Sequence, residues 1–376
     1  MKPMATLNEV LSSKTREGDL WERLDDKRIR CYACGHECPI PDGACGVCKV
    51  RFNNGGRLFV PWGYVGGVQC DPIEKKPFFH AYPGTLTYSF GMLGCDLHCG
   101  YCQNWVTSQA LRDPAANSSP TPISPKAVVE DAIHHDARVL VSTYNEPLIT
   151  SEWAVAIFKE ARDAGLATGF VSNGNATARV VDYLRPWIDM YKIDLKSFDD
   201  QQYRTLGGRL QPILNTIRRL HSLGVWLEIV TLLIPNFNDD HDNIERLTNF
   251  IANVSPEIPW HVTAFHADYK MTDRADTTAD MLERAAASGR RNGLRFVYAG
   301  NRAGQVGFSE NTSCPNCETL LIERFGYQIR SYNLTKDGNC PTCSLPIPGR
   351  WDMHFRKHIT GRPFLPNSHA AFQQHN

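Results

Sequence analysis

The sequence has no window approaching the roughly 18 uninterrupted apolar residues of a membrane span, and its opening residues, MKPMATLNEV, lack the apolar stretch of a signal peptide. Both absences predict a cytoplasmic protein. Net charge is missing too: 40 Lys and Arg balance 40 Asp and Glu among 376 residues, leaving no field to draw in nucleic acid or anionic lipid. There is no internal repeat. The length is too great for one small module and predicts one large domain with appendages, or two to three domains.

Cysteine, by contrast, is plentiful. Twelve of the thirteen cysteines fall into three tight groups. Without an export signal, such grouping favours metal or cluster ligation over disulfides. Cys70 stands alone and reads as a small buried hydrophobe.

The groups divide the chain into an N-terminal Cys-rich metal-binding module (1–82), a core (83–308) and a C-terminal zinc-ribbon-like module with a tail (309–376), expected to be disordered after Pro366. In the core, short β-rich runs alternate with amphipathic stretches, the pattern of βα units around a parallel sheet. Strands are predicted for TLTYSFGML from Thr85, RVLVST from Arg138, ATGFVS from Ala167 and MYKIDL from Met190. VWLEIVTLL from Val225, WHVTAF from Trp260 and LRFVYA from Leu294 complete the series. SEWAVAIFKEARDAG is a helix with Ser151 at its N-cap and Gly165 at its end; PILNTIRRLHSLG is another, with Pro212 at its start and Gly224 at its end. DPAANSSPTPISP is a loop by composition.

Polar motifs cluster where the predicted strands end. GCDLHCGYCQN follows the first, YNEP the second, SNGN the third and DLK the fourth; IPNFNDD, His266 and Gly300-Asn301 follow the rest. In a parallel barrel or open α/β sheet those ends share one face, and that face carries the active site.

Cys95, Cys99 and Cys102 have the spacing C-x3-C-x2-C. Three thiolates on one loop can serve three irons of a cubane cluster and leave the fourth iron open, unlike the four-cysteine clusters of electron transfer. The competing reading is a zinc site completed by a histidine such as His98; zinc sites more often use paired CxxC knuckles. Cys314, Cys317, Cys340 and Cys343 form such a pair, which favours structural zinc over a rubredoxin-like iron. Residues 31–48 hold five cysteines. Pairing CxxC with CxxC selects Cys31, Cys34, Cys45 and Cys48, with zinc and a second iron–sulfur cluster both open as occupants.

The Cys95–Cys102 motif, with Tyr101 before its last cysteine, resembles the signature of radical S-adenosylmethionine enzymes. The resemblance implies a partial (β/α)6-type parallel barrel. It also implies a 4Fe–4S cluster that chelates S-adenosylmethionine and, after one-electron reduction, yields a 5′-deoxyadenosyl radical. Tyr101 and Gln103 then flank the cofactor. Asn145 and Glu146, in Tyr-Asn-Glu-Pro, occupy the place of a Gly-Gly-Glu-Pro motif that binds its amino group. Asp194 and Lys196 match the Asp-Leu-Lys of glycyl-radical-enzyme activases, with Lys196 on the methionyl carboxylate. His266 matches a histidine near the sugar. Taken singly, each has a plain alternative: a turn Glu, a solvated Lys, a structural His.

Over nearly the whole length, DPIEKKPFFHAYPG, GCDLHCGYCQNW, STYNEP and IPGRW resemble the radical component of the AmmeMemoRadiSam system, related to pyruvate formate-lyase activating enzymes. That resemblance implies Memo-like and AMMECR-like partners and a flavodoxin or ferredoxin-type reductant. For residues 31–48 it implies Cys31, Cys34, Cys38 and Cys48 as the ligand set. Of a different class is a zinc-rich scaffold or nucleic-acid-binding protein; neither the charge balance nor any basic, aromatic-interleaved patch supports it.

Overall fold

In the computed structural model, residues 6–351 are described; the tail expected to be disordered lies outside them. Eight strands form one sheet, β1 (Gly67–Pro72), β2 (Leu86–Gly91), β3 (Val139–Ser142), β4 (Ala167–Ser172), β5 (Met190–Asp194), β6 (Trp226–Leu233), β7 (Trp260–Ala264) and β8 (Val297–Gly300). They lie side by side in chain order. β1 is antiparallel to β2, and each later neighbour pair is parallel. The seven predicted strands are thus present and parallel, one more than a six-stranded barrel needs. Among the described residues the outer strands β1 and β8 do not pair, so the sheet is a partial barrel with an α/β fold.

Each parallel step returns through a helix, as parallel pairing requires. These are α1 (Pro125–His134), α2 (Ser151–Asp163), α3 (Ala178–Leu184), α4 (Leu210–Ser222), α5 (His241–Val254) and α6 (Ala279–Arg291). Strand periodicity sorts the side chains into two layers. Tyr191 and Ile193 of β5 join the large core with the helices. Met190, just before them on the opposite face, packs inward with Val139, Val141 and Trp226.

Two helix ends differ from expectation. Thr150, not Ser151, stands at the N-cap of α2, without a side-chain capping bond, because the 3-10 turn Pro147–Thr150 runs straight into the helix. α4 starts two residues before Pro212 and stops at Gly224, whose φ of 68° suits a residue with no Cβ. Of the segment 113–125, Pro125 opens α1 and the rest is a loop except for Thr121–Pro122, which pairs with Tyr64–Val65.

Residues 73–82 plug the foot of the barrel. Ile73, Phe78 and Ala81 fill the space between Val139, Val141 and Met190. Above them, the Glu228 carboxylate accepts the backbone N–H groups of Phe79 and His80, both at 2.9 Å, and the Trp226 indole at 3.0 Å. A fourth contact, His261 Nε2 at 2.7 Å, completes its shell. The C-terminal module is a three-stranded antiparallel sheet of Thr312–Ser313, Leu320–Phe325 and Gln328–Tyr332. Its core is continuous with Phe79, Phe296 and Tyr298 of the barrel foot. The N-terminal module consists of two small antiparallel sheets and is joined to α2 by the buried Arg51–Glu152 ion pair. Among the described residues no helix is long and apolar enough to cross a membrane.

Candidate active site

The loop after β2 carries Cys95, Cys99 and Cys102 into an apolar setting of Leu97, Tyr101, Leu206, Ile234 and Phe265. Burial pushes all three thiols up. A buried thiolate needs a compensating charge, and a bound metal centre supplies one. Donors are already aimed at the sulfurs: the Leu97 N–H lies 3.4 Å from Cys95 Sγ, and the Ser108 hydroxyl 3.2 Å from Cys102 Sγ. The loop is fixed from outside as well. Arg112 and Gln109 both donate to the Leu97 carbonyl, at 3.2 and 3.3 Å, and the His98 N–H donates to the Leu206 carbonyl at 2.9 Å.

Lys196 reaches the same mouth from the end of β5. Its ammonium lies 3.6 Å from Asp194 Oδ2 and 6.0 Å from the centre of the Tyr101 ring. Burial works against its charge, but Asp194 and then the Tyr101 and Cys99 groups outweigh burial and hold the ammonium well above its ordinary range. Asp194 also pairs with Lys192 from the strand interior; burial opposes its charge, yet the two lysines hold the carboxyl below its usual value. Gln103 Nε2 lies 2.8 Å from His266 Nε2, linking the cysteine loop to the end of β7. The following segment straps the loop down: the Lys270 N–H donates to the Gly100 carbonyl at 2.9 Å, and Tyr269 stacks on Trp105 with ring centres 5.1 Å apart.

The turn after β3 is held by its own side chains. The Glu146 carboxylate is taken up by neighbouring protein groups. It accepts hydrogen bonds from Ser172 Oγ at 2.7 Å, Asn173 N at 2.8 Å and Leu148 N at 3.0 Å. Burial first, then the Asp96 carboxylate, push its carboxyl up. Asn145 is equally occupied, its Oδ1 accepting the Met92 N–H at 3.0 Å. These side chains shape the turn. Tyr144 there has φ 70°, a left-handed value costly for an aromatic residue. Opposite it, a Cβ on Gly91 would lie 2.5 Å from the Thr143 carbonyl and 2.9 Å from Tyr144 Cβ. Gly91→Ala should therefore displace this turn and destabilise the fold by about 1–3 kcal/mol. Denaturant unfolding would read the effect; unchanged stability would show that the turn tolerates the added Cβ.

Asp96 was not singled out by sequence reasoning. It is fully buried between two of the cysteines, and its two oxygens accept Asn173 Nδ2 and Asn175 Nδ2, both at 2.8 Å. A carboxylate in the motif and two amides in SNGN are the signal that could have joined them. Lys192 was missed as well.

A second thiol cluster lies at the other end of the barrel. Cys314, Cys317, Cys340 and Cys343 bring their sulfurs within 4.8 Å of one another, with Cys314–Cys343 at 3.6 Å and Cys317–Cys340 at 3.5 Å. Four sulfurs around one tetrahedral ion with metal–sulfur bonds of about 2.3 Å stand about 3.8 Å apart, so this set fits a single ion. Cys70 is half-buried, its thiol 3.8 Å from the His135 carbonyl.

A thiol-bearing loop on the first parallel strand, facing a lysine and an acid from the fourth, defines an enzyme of the radical S-adenosylmethionine type: residues 91–248 match the Radical SAM superfamily, and the chain belongs to it. It is 36% identical over 335 residues to the uncharacterized protein MJ0808 of Methanocaldococcus jannaschii, covering 88% of this chain and 98% of that protein. It is 28% identical over 196 residues to the pyruvate formate-lyase-activating enzyme of Staphylococcus aureus, covering 49% of this chain and 76% of that enzyme. Among solved structures, a domain of pyruvate-formate lyase-activating enzyme from Bacteroides vulgatus aligns with a TM-score of 0.39 at 22% identity, covering 43% of this chain and 98% of that one. The chain is therefore a radical S-adenosylmethionine enzyme distantly related to the activating enzymes.

Proposed function

We propose that Cys95, Cys99 and Cys102 hold a 4Fe–4S cluster and that the chain acts as the radical component of an AmmeMemoRadiSam system. The cluster with S-adenosylmethionine supplies a 5′-deoxyadenosyl radical by one-electron reductive cleavage. The carrying observation is the buried three-thiol loop beside the Lys196 ammonium at one mouth of the barrel. The chain's own residues do the rest. Lys196 offers its charge to the methionyl carboxylate, while Asp194 holds Lys196 in place. Gln103 and His266 border the sugar side, and the apolar wall of Tyr101, Ile234 and Phe265 keeps water from the reacting centre.

The substrate side is a protein glycine, as in the activating enzymes, or a small molecule bound in trans. Memo-like and AMMECR-like proteins are the proposed partners, with a flavodoxin or ferredoxin-type reductant. Anaerobic incubation with dithionite and S-adenosylmethionine should release 5′-deoxyadenosine; no release from cluster-replete protein would end this reading. A paramagnetic doublet on an added partner would favour the glycine target, and a modified small product without one would favour the metabolite.

Lys196→Met should weaken S-adenosylmethionine binding about 10- to 100-fold, the worth of a charge-assisted hydrogen bond. Equal affinity in equilibrium dialysis would take Lys196 out of the cofactor site.

The thiols at 314–343 are proposed as structural zinc ligands. Cys340→Ser should lose one zinc per chain by mass spectrometry and lower the unfolding midpoint; iron in place of zinc in the wild-type protein would redirect the assignment.

A further inference from the structure

Residues 31–48 pack directly on the loop that carries Cys95. His36 Nε2 lies 3.1 Å from the Asp96 carbonyl oxygen. The Gly35 N–H donates to the Asn175 carbonyl at 2.7 Å, and the Asn175 amide donates to Asp96 Oδ2. On the other flank, a Cβ on Gly94 would stand 3.1 Å from the Cys48 carbonyl. Asp96 thus meets His36 of the one cysteine group through its carbonyl and lies beside the other, with its Oδ1 3.8 Å from Cys95 Sγ.

Within residues 31–48 the five thiols are not equivalent. Cys31, Cys34 and Cys48 are buried, Cys38 is half-buried and Cys45 is exposed. Arg51 Nε donates to Cys31 Sγ at 3.2 Å, and the Val47 N–H to Cys38 Sγ at 3.5 Å. Cys45 meets none of these groups; its backbone bridges to Phe52. Burial and donors therefore choose Cys38 over Cys45.

The two four-thiol groups differ in how closely their sulfurs gather. The four thiols at 314–343 gather within 4.8 Å, as around one ion, and among the described residues they are the one group that does so. No three of Cys31, Cys34, Cys38 and Cys48 come that close. A cubane places each thiolate on its own iron, so its four sulfurs stand farther apart than around a single ion.

We propose that Cys31, Cys34, Cys38 and Cys48 hold a second 4Fe–4S cluster, closed by four cysteines, that relays electrons to the centre at Cys95. The relay rests on the radical reading of that centre; the second cluster does not. One electron enters from a low-potential ferredoxin-type donor, reduces the second cluster and passes across the Asp96 contact. It is consumed as the S–C5′ bond of S-adenosylmethionine breaks into methionine and the 5′-deoxyadenosyl radical. The second cluster returns to its oxidised state.

The full chain carrying Cys95→Ala, Cys99→Ala and Cys102→Ala isolates the second site. After anaerobic reconstitution it should retain about four iron and four sulfide and give an S = 1/2 resonance on reduction. Zinc in place of iron overturns the second cluster. In the otherwise native chain, Cys38→Ala should lose about four of eight irons and Cys45→Ala none; the reverse overturns the ligand set.

For the relay, protein is reduced, freed of reductant and given S-adenosylmethionine. The native chain should release up to about two 5′-deoxyadenosine per chain and Cys38→Ala about one, one electron per cluster. Equal yields overturn the relay. No product from either chain overturns the relay and the radical reading together, while the iron count of the triple variant judges the second cluster alone.

Discussion

Replacing Cys95, Cys99 or Cys102 singly by Ala is expected to abolish 5′-deoxyadenosine release, and the triple replacement to remove about four irons per chain. The effect should be loss rather than attenuation, because each thiolate holds one corner of a centre with only three protein ligands. The fold should survive. The loop is anchored by Arg112 and Gln109 on the Leu97 carbonyl and by the His98 N–H on Leu206, none of which involves a sulfur. Circular dichroism and the unfolding midpoint should therefore change little while the brown absorbance at this site disappears. Product release unchanged in all three single variants would refute the assignment of these thiols.

Glu152→Gln should destabilise the protein by about 3–5 kcal/mol, the typical cost of leaving a buried charge without its partner. Glu152 and Arg51 are both almost wholly buried and joined in two places, Nη1 to Oε2 at 2.7 Å and Nη2 to Oε1 at 2.8 Å. Glu152 Oε1 also accepts the Asp19 and Leu20 N–H groups at 3.2 and 3.4 Å, so one carboxylate ties the N-terminal module to α2. The amide would keep the shape and strand the guanidinium. Burial opposes the carboxylate, but the Arg51 charge and hydrogen bonds outweigh burial and lower its pKa. A lowered folded pKa gives stability that is fully present above the unfolded carboxyl's value of about 4.3 and is lost as pH falls through the folded value. Wild type and Glu152→Gln should accordingly converge in acid. A difference below about 1 kcal/mol at neutral pH, the range of exposed pairs, would count against the pair's structural weight.

Much of this architecture was legible in the sequence because periodicity and punctuation carry it. β-rich runs between glycine-terminated amphipathic stretches marked all seven parallel strands, and the cysteine spacing marked the mouth. The antiparallel strand β1 went unseen. GVQCDP has neither alternation nor an apolar run, and its place is set by pairing with β2, a long-range contact without a local signal. The roles of Asn145 and Glu146 were similarly hidden. Sequence order puts them beside the cofactor's expected position, but only the fold reveals that Ser172, Asn173 and Met92 have claimed their side chains. Arg51 was unreadable for the same reason, since its partner lies 101 positions away. Cys38 is half-buried and Cys45 exposed, a difference that spacing does not encode.

The shared core of the C-terminal sheet and the barrel foot has a consequence for how the protein matures. Arg324 of the ribbon is buried and donates to the Phe79 carbonyl and to Thr312, both at 2.8 Å, and Phe79 in turn presents its N–H to Glu228. If the thiols at 314–343 close only around an ion, the supply of that ion governs when this segment can clamp the plug. The C-terminal sheet then acts as a checkpoint: a chain without that ion would leave the Glu228 shell unsealed at the foot, at the opposite end from the thiols of the mouth.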